Sequence, residues 1–438
     1  MKKNRKFWAA LIIFSLTGQI AWVVENMYFN VFIYKMFRAS ASDIALMVTA
    51  SSVAATLTTI LIGALSDRIG KRKIFMCAGY IAWGISIFSF ALIRADVISS
   101  VFGTVTGVAS VGITLVILMD CVMTFFGSTA NDAAYNAWLT DSTDATNRGA
   151  AEGINSMMPL ISILAVFGGF MGFDLDQASS WTTIYCIIGG LVLLVGILGF
   201  FLVDEAPVRN PDSLGYFATI LYGFRPDVIR KNAVLYLSLA AFMVFNISIQ
   251  VFMPYLIIYY EQTLGMSDYV LIMAPAIILA AAVTFFFGRL VDRFGFRKTV
   301  LPSMFLLLLG FVLLWLVPSV IPAEGMAMKI PVFIGSLLMM SGYLSGMATY
   351  GTQLRNYTPE HMAGRFQGLR ILSQVLIPGI IGPQIGAWVL RDAPTISNSD
   401  GTTSFLPSAD IFLTALLVLL VVIAAVAVRL ICSGKHKS

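Results

Sequence analysis

The sequence GALSDRIGKRK, which runs from Gly63 to Lys73, returns 225 residues later as GRLVDRFGFRK, from Gly288 to Lys298. Seven of the eleven positions are identical in the two copies. Two more pairs of segments repeat in the same order at offsets of 220 and 215 residues, namely 26–32 with 246–252 and 143–153 with 358–368. Three ordered correspondences indicate a duplicated chain with two homologous halves.

The composition is that of an integral membrane protein. Of the 438 residues, 58% are hydrophobic and 12% are charged, and the mean hydropathy is +0.86, whereas soluble proteins carry about 25% charged residues. Apolar runs of about 20 residues recur along the chain, and each is long enough to cross a hydrocarbon core of roughly 30 Å. The two histidines and four scattered cysteines match no metal site, disulfide framework or catalytic site of a soluble enzyme, so we expect no enzymatic activity and no metal.

Polar breaks divide the chain into twelve predicted helices. They cover residues 7–36, 42–65, 73–93, 110–138, 150–173, 181–203, 233–259, 267–290, 299–318, 330–354, 365–390 and 409–430. The stretch 97–112 is too apolar for an ordinary loop and too rich in Gly and Ser for a span. The N-terminus resembles a signal peptide, but its apolar run continues to about Phe37 without a small-residue cleavage site, so we expect a retained first helix. The predicted domains are two six-helix halves, 1–203 and 233–438, with a cytoplasmic linker at 204–232.

The distribution of positive charge predicts the orientation. With the N-terminus in the cytoplasm, the cytoplasmic segments hold 23 Lys and Arg residues and the outer segments hold 5, as the positive-inside rule requires. We therefore expect both termini and both copies of the motif at the cytoplasmic face of the cell (inner) membrane. The net charge of +5 then meets anionic lipid headgroups rather than nucleic acid. The linker is either a surface helix or a plain connection, since four of its apolar residues recur at helical spacing: Leu214, Phe217, Leu221 and Phe224.

The motif between the second and third predicted helices matches the pattern G-x-L-x-D-R-x-G-R/K-R/K of the major facilitator superfamily through Gly63, Leu65, Asp67, Arg68, Gly70, Lys71 and Arg72. The chain resembles this family over nearly its full length. The end of the fourth helix, around 137–141, is similar to the glycoside and sucrose cation symporter branches. The resemblance implies an all-α fold of two pseudo-symmetric six-helix halves that expose a central site alternately to each side, with helices 1, 4, 7 and 10 lining the cavity.

The repeated motif suits a cytoplasmic gate. Gly70 and Gly295 permit tight turns, because glycine tolerates positive φ. The aspartate of each copy can accept hydrogen bonds from Arg148 or Arg365 when this side is closed and lose them when it opens. The alternative is that the charges only set the topology, which leaves the repeated aspartate unexplained. The predicted gate residues are Gly63, Asp67, Arg68, Gly70, Arg72, Arg148, Gly288, Asp292, Arg293, Gly295 and Arg297.

Three carboxylic residues lie inside predicted spans, Glu25 in the first helix and Asp120 and Asp132 in the fourth. A charge at the bilayer centre costs about 2.5–3.5 kcal/mol on insertion scales, so each needs a function or a partner. Burial favours the neutral form of a carboxyl group, which suits proton coupling. We predict all three as cation-coupling residues, Asp132 foremost, since Asn131 and Asn136 lie beside it. The alternatives are a hydrated helix end for Asp132, a position at the outer mouth for Asp120 and a partner on another helix for Glu25.

Two pairs of amide side chains, one in helix 1 and one in helix 7, have i,i+4 spacing, so each pair presents two amides to one side. Amides both donate and accept hydrogen bonds, which suits a neutral polyhydroxylated solute, and aromatic rings can stack on its apolar face. The alternative is hydrogen bonding between helices. The predicted solute-binding residues are Trp22, Asn26, Asn30, Asn131, Asn136, Asn246, Gln250 and Tyr343.

These features lead to one main hypothesis and two alternatives. The main hypothesis is symport of a small polar solute, such as a sugar or glycoside, with a proton or sodium as coupling ion and no other cofactor. The first alternative is a proton-driven antiporter that exports amphipathic or drug-like compounds, suggested by the aromatic content, 21 methionines and a Gly-Pro motif in helix 11. The second is a receptor or scaffold without flux. We expect a monomer that contacts its solute and membrane lipid.

Overall fold

The computed structural model describes residues 5–103, 107–144, 147–205, 222–320, 326–358, 368–398 and 401–435. Within these ranges, twelve helices are long and apolar enough to cross a membrane. In chain order, the spans α1 to α12 cover Arg5–Phe37, Ala41–Ser66, Arg72–Phe90, Val108–Ser142, Gly149–Phe170, Ala178–Leu202, Ala233–Thr263, Val270–Phe294, Phe296–Val320, Ala327–Tyr357, Gly368–Val389 and Asp410–Val428. The helices of α2 and α12 continue beyond these spans, to Ile69 and Lys435.

The predicted all-α class with twelve spans is confirmed, and each predicted span ends within four residues of the observed one. The apolar stretch 97–112 divides into the short helix Ala95–Phe102 and the first turn of α4. Within the linker, the structure describes a 3-10 turn at Tyr222–Phe224 and a helix at Pro226–Lys231. Three apolar linker residues lie outside the described residues: Leu214, Phe217 and Leu221.

The chain divides between Tyr222 and Gly223 into two compact units, the first with α1 to α6 and the second with α7 to α12. In the first unit, a Cβ atom on Gly84 of α3 would lie 2.6 Å from the backbone nitrogen of Leu193 in α6. In the second unit, Gly342 of α10 packs as closely on the backbone of α9. Such small residues allow the close backbone approach by which membrane helices associate without a hydrophobic driving force.

Helix ends follow from local chemistry. Ser40 caps α2, because its Oγ accepts a hydrogen bond from the backbone nitrogen of Asp43 at 3.2 Å while the Asp43 carboxylate accepts one from the Ser40 nitrogen at 2.8 Å. The two motif glycines, Gly70 after α2 and Gly295 after α8, have φ of 72° and 73°. Both glycines therefore have the positive φ that was predicted for them, and the chain turns at Gly70 into α3 and at Gly295 into α9.

Between α11 and α12 the chain forms a small antiparallel hairpin of β1, Thr395–Ser397, and β2, Thr403–Phe405. At the end of α7, the hydroxyl of Thr263 donates a hydrogen bond of 2.7 Å to the backbone oxygen of Pro407, just after β2. This bond ties the end of α7 to the segment that precedes α12 within the second unit.

Candidate functional site

Two spans depart from α-helical geometry where their carboxylic residues lie. α1 is π-helical over Val24–Tyr28, which contains Glu25, and α4 is π-helical over Ser128–Tyr135, which contains Asp132. Such segments are rare and frequently occur at functional sites. In the second unit, α7 and α11 contain π-helical segments at Tyr259–Thr263 and Leu372–Leu376. Two of the three predicted cation-coupling residues therefore stand on helix segments of unusual local structure.

Glu25 and Asp120 form a buried group that joins three helices of the first unit; we call these two residues the acidic pair. Their side chains are 7% and 1% exposed. Thr124 of α4 donates a hydrogen bond of 2.8 Å to Oε1 of Glu25 in α1. Thr124 lies one turn after Asp120 on the same helix face, and Ser51 of α2 lies near the Asp120 carboxyl group. The two carboxyl groups interact electrostatically, so the group holds acidic chemistry away from solvent.

Four buried side-chain oxygens of α1 and α4 have no hydrogen-bond partner within the described residues: Oε2 of Glu25, Oδ1 of Asn30, Oδ1 of Asp120 and Oγ1 of Thr129. Leaving a buried polar atom unpaired costs about 1–3 kcal/mol. A proton would supply a donor, since a neutral carboxyl group carries one O–H, and a small cation would pair with the same oxygens. Among the described residues, no group of three or more His, Cys, Asp and Glu is placed to hold a metal ion. The acidic pair thus has the chemistry of a site for a proton or a monovalent cation.

Asp132 is half-buried, and both of its carboxylate oxygens have donors nearby. Ser128 Oγ donates to Oδ2 at 2.9 Å, and Asn131 Nδ2 approaches Oδ1 at 3.5 Å. The Asn131 oxygen in turn accepts a hydrogen bond of 2.9 Å from the hydroxyl of Tyr80 in α3. Asn136 donates to the backbone oxygen of Asp132 at 3.1 Å and through this bond reaches the main chain, not the carboxylate. The structure therefore moves the emphasis from Asp132 to the acidic pair, in which each carboxyl group keeps one oxygen without a partner in the described residues.

Four of the predicted amides share one arrangement, in which the side-chain nitrogen donates to the backbone oxygen four residues earlier at 2.8 to 3.1 Å. They are Asn26, Asn30, Asn136 and Asn246. Because the nitrogen is held by its own helix, the amide oxygen is left to accept hydrogen bonds from elsewhere. A solute rich in hydroxyl donors matches these acceptors.

Of the other predicted solute-binding residues, Asn131 is buried, whereas Trp22, Gln250 and Tyr343 are half-buried. The ring of Trp22 in α1 lies 5.0 Å from that of Trp83 in α3. Gln250 of α7 packs against Gly382 of α11, where a Cβ atom would collide with it. Tyr343 lies on α10 of the second unit. Trp22 and Gln250 thus take part in helix packing, besides any contact with a solute.

The first copy of the repeated motif contains a buried ionic network. Arg72 is 3% exposed, and its guanidinium group donates to Asp141 Oδ2 at 3.1 Å and to Ser66 Oγ at 2.6 Å. Glu205, just after α6, accepts hydrogen bonds from the backbone nitrogens of Arg72 and Lys73 at 2.6 and 3.2 Å. The start of α3 is thereby held to the ends of α2, α4 and α6.

The second copy differs in its local structure. The position 215 residues after Asp141 is occupied by Asn356, so the acidic partner has no carboxylic counterpart in the other half. Around both Gly63 and Gly288, a Cβ atom would meet nothing within 4 Å, and these two glycines are not required for close packing. The polar gate residues of the second copy are exposed: Asp292, Arg293 and Arg297.

The hydrogen-bond partners predicted for the motif aspartates lie outside the part of the chain that the structure describes. The structure also shows partners of Glu25 and Arg72 that the sequence did not predict. The side chains of Asp67 and Arg148 and the whole of Arg365 lie outside the described residues, while Arg68 is exposed. The unpredicted partners are Thr124, Asp141 and Glu205. The spacing of four between Asp120 and Thr124 could have indicated the first, whereas Glu205 is 133 residues from its partner and no local pattern reveals it.

Comparisons with known proteins agree with this architecture. The family model of the Major Facilitator Superfamily matches residues 7–383. Similar solved structures include the nucleoside transporter NupG (13% identity, 97% of this chain and 99% of that chain, TM-score 0.65) and the xylose transporter XylE from E. coli (12%, 96% and 98%, 0.67). A bacterial homologue of the human lysosomal transporter Spinster is also similar (13%, 98% and 98%, 0.66). None of the curated proteins matches the sequence.

Proposed function

This chain belongs to the major facilitator superfamily, and we propose that it carries a small polar solute across the membrane together with a proton or a sodium ion. The family and the twelve apolar helices make it a multi-pass membrane transporter of small solutes, not an enzyme. The proposed solute is a sugar or a glycoside-like compound, moved by alternating access of the two halves. The coupling ion is the only cofactor in the proposal, and the transporter acts as a monomer.

The acidic pair is the observation that carries the coupling. Glu25 and Asp120 are buried in the first unit, interact electrostatically, and each keep one oxygen without a partner in the described residues. Two carboxylates that interact within a buried site repel each other when both are charged. One bound cation would reduce the repulsion between the two carboxylates and would pair with the oxygens that have no partner. Ion binding therefore changes the strength of the contact between α1 and α4. Asp132, on its π-helical segment, is the third proposed coupling residue.

Two features support a polyhydroxylated solute. The amide oxygens of Asn26 and Asn246 are left to accept hydrogen bonds, because each nitrogen is held by its own helix. The aromatic residues Trp22 and Tyr343 supply faces for the apolar side of a sugar ring. Nucleosides and xylose, the solutes named for two transporters of similar fold, are also polyhydroxylated.

The proposal includes an orientation with both termini in the cytoplasm of the inner membrane, supported by the 23 of 28 Lys and Arg residues in segments that would then lie inside. Both copies of the motif then face the cytoplasm and form the gate. We test this with Lys71→Cys and Lys298→Cys, labelled by a membrane-impermeant maleimide in whole cells and in inverted vesicles. Labelling of both variants only in inverted vesicles is expected, and labelling on opposite sides would refute a parallel repeat.

Uptake into proteoliposomes tests the coupling and the solute class. Purified full-length protein is reconstituted, and a panel of sugars, glycosides and nucleosides is offered under an imposed proton gradient, a sodium gradient or none. Accumulation of a sugar or glycoside under one gradient alone is the expected result. Accumulation of an amphipathic compound only under the inverted proton gradient would instead establish export. Binding without flux under every gradient would establish a receptor.

One observation bears on export. The Gly-Pro segment that suggested an antiporter places Gly382 and Gly386 of α11 directly against α7, where Cβ atoms would collide with Gln250 and Tyr255. Close packing within the second unit therefore accounts for these glycines without an antiport mechanism. This leaves symport as the function that the acidic pair supports best.

A further inference from the structure

The end of α8 and the first turn of α9, with the turn that joins them, carry four basic side chains that have no ion pair within the described residues. All four are exposed to solvent: Arg289, Arg293, Arg297 and Lys298. One carboxylate, the exposed Asp292, lies among them. The matching turn of the first unit differs, because Arg72 there is buried and paired with Asp141. The last arginine of the motif is therefore paired in the first copy, as Arg72, and has no ion pair within the described residues in the second, as Arg297.

Exposed aromatic rings lie directly beneath these cations. Phe285 and Phe286, in the last turns of α8, are 60% and 61% exposed. The guanidinium carbon of Arg289 lies 4.6 Å from the ring centroid of Phe285. Phe294, at the helix end, has Arg293 at 5.2 Å and Lys298 at 5.7 Å from its ring centroid. Cation–π contacts of this kind hold the positive groups at the boundary between the apolar span and the polar turn.

We propose that this turn is a binding site for one anionic phospholipid. The arginine side chains present planar donor groups that fit the oxygens of a phosphate. The exposed phenylalanine rings give the acyl chains an apolar surface along the end of α8. Four cations against one carboxylate leave an excess of positive charge that a zwitterionic headgroup does not neutralise.

The aromatic surface distinguishes a lipid from a soluble anion. Free phosphate would gain from the arginine side chains but nothing from Phe285 and Phe286, whereas a phospholipid gains from both. The site belongs wholly to the second unit and uses none of the residues assigned to solute or ion coupling. Arg293 and Arg297 also belong to the proposed gate, but lipid binding in detergent is measured without transport, so a failure of this proposal is distinguishable from a failure of the transport proposal.

Native mass spectrometry of the full-length protein in neutral detergent tests the site, with added phosphatidylglycerol or phosphatidylcholine. The wild type is expected to bind phosphatidylglycerol about tenfold more tightly than phosphatidylcholine, because each basic residue near an anionic headgroup adds to the affinity. The variant R293Q/R297Q is expected to lose this preference. The control R68Q/K71Q removes the same charge from the first copy of the motif and is expected to keep the preference.

Three further measurements distinguish a phospholipid from a free anion at this site. R293K/R297K retains the charge and is expected to retain most of the preference, which separates charge from folding. F285A/F286A is expected to weaken phosphatidylglycerol binding, and inorganic phosphate at the same concentration is expected not to displace the lipid. Equal binding of the two lipids by the wild type, equal losses in the two double-Gln variants, or displacement by phosphate would each overturn the proposal.

Discussion

Thr124 of α4 donates a hydrogen bond of 2.8 Å to one carboxylate oxygen of Glu25 in α1, while the second oxygen of that group has no partner within the described residues. Half of the carboxyl group is thus held by the protein, and half is free for a proton or a cation. The bond also links the two helices that carry π-helical segments in the first unit. A change of charge on Glu25 therefore acts directly on the contact between α1 and α4.

Replacing Glu25 by Gln keeps the hydrogen bond from Thr124 but removes the carboxyl group that binds the coupling ion. A Gln oxygen can still accept the bond from Thr124, but the side chain binds no proton or cation. We expect gradient-driven accumulation to fall at least about tenfold, while equilibrium exchange of solute stays within about twofold of the wild type. Counterflow and uphill uptake in proteoliposomes measure the two quantities. Uphill uptake at the wild-type rate would remove Glu25 from the coupling mechanism.

Replacing Thr124 tests the hydrogen bond itself. The variant T124V keeps the shape of the side chain but leaves Oε1 of Glu25 without its donor, and T124S restores a hydroxyl group. We expect T124V to lower the apparent free energy of unfolding by about 1–3 kcal/mol and T124S to recover most of it. Thermal unfolding in detergent measures the difference. A T124V variant as stable as the wild type would contradict a stabilising role for this hydrogen bond.

The exposed carboxylate of Asp96 provides a control for all charge-removing variants. Arg94 donates two hydrogen bonds to it, at 3.0 and 2.9 Å, and lowers the pKa of Asp96 below its usual value. A lowered folded-state pKa gives stability that is present above the unfolded-state pKa and is lost as the pH falls through the folded-state value. Because the pair is exposed, solvent screens it, so D96N is expected to leave uptake and melting temperature unchanged at neutral pH. A loss of uptake in D96N would show that removing any carboxylate is harmful.

The two copies of the motif predict unequal costs for the same substitution. R72Q breaks a buried pair with Asp141, whereas R297Q, at the corresponding position of the second copy, removes an exposed side chain without an ion pair in the described residues. We expect a loss of about 3 kcal/mol in apparent stability for R72Q and a change within about 0.5 kcal/mol for R297Q. Thermal unfolding of both variants at one pH makes the comparison. Equal losses would contradict the asymmetry.

Two glycines of the first unit predict opposite responses to Ala. A Cβ atom on Gly18 in α1 would collide with Asn131 and the hydroxyl of Tyr80, whereas one on Gly63 would meet nothing within 4 Å. We expect G18A to lower the apparent stability by about 1–3 kcal/mol through overpacking. G63A is expected to be neutral or to stabilise α2 by up to about 1 kcal/mol. If G63A nevertheless abolishes transport, the role of Gly63 lies in the conformational change and not in folding.

The candidate site could be predicted only where a single residue differs from its neighbours along the chain. Glu25, Asp120 and Asp132 are recognisable because a carboxylic residue inside an apolar run needs a reason. Their ranking was not predictable, since it depends on which oxygens find donors. Asp132 is the foremost candidate by its sequence neighbours, but in the structure both of its carboxylate oxygens have donors from Ser128 and Asn131.

By itself, the amino-acid sequence determined the twelve spans, the duplication and the membrane class of this protein, because hydropathy and repeated motifs are properties of contiguous residues. Only the tertiary structure decided that Thr124 meets Glu25 and that Arg72 pairs with Asp141, whereas Arg297 of the second copy has no ion pair within the described residues. It also decided where α1 and α4 contain π-helical segments. Those features depend on which helix faces come together, and such faces are set by packing between residues far apart in sequence, 99 positions for Thr124 and Glu25 and 69 for Arg72 and Asp141, which no local pattern contains.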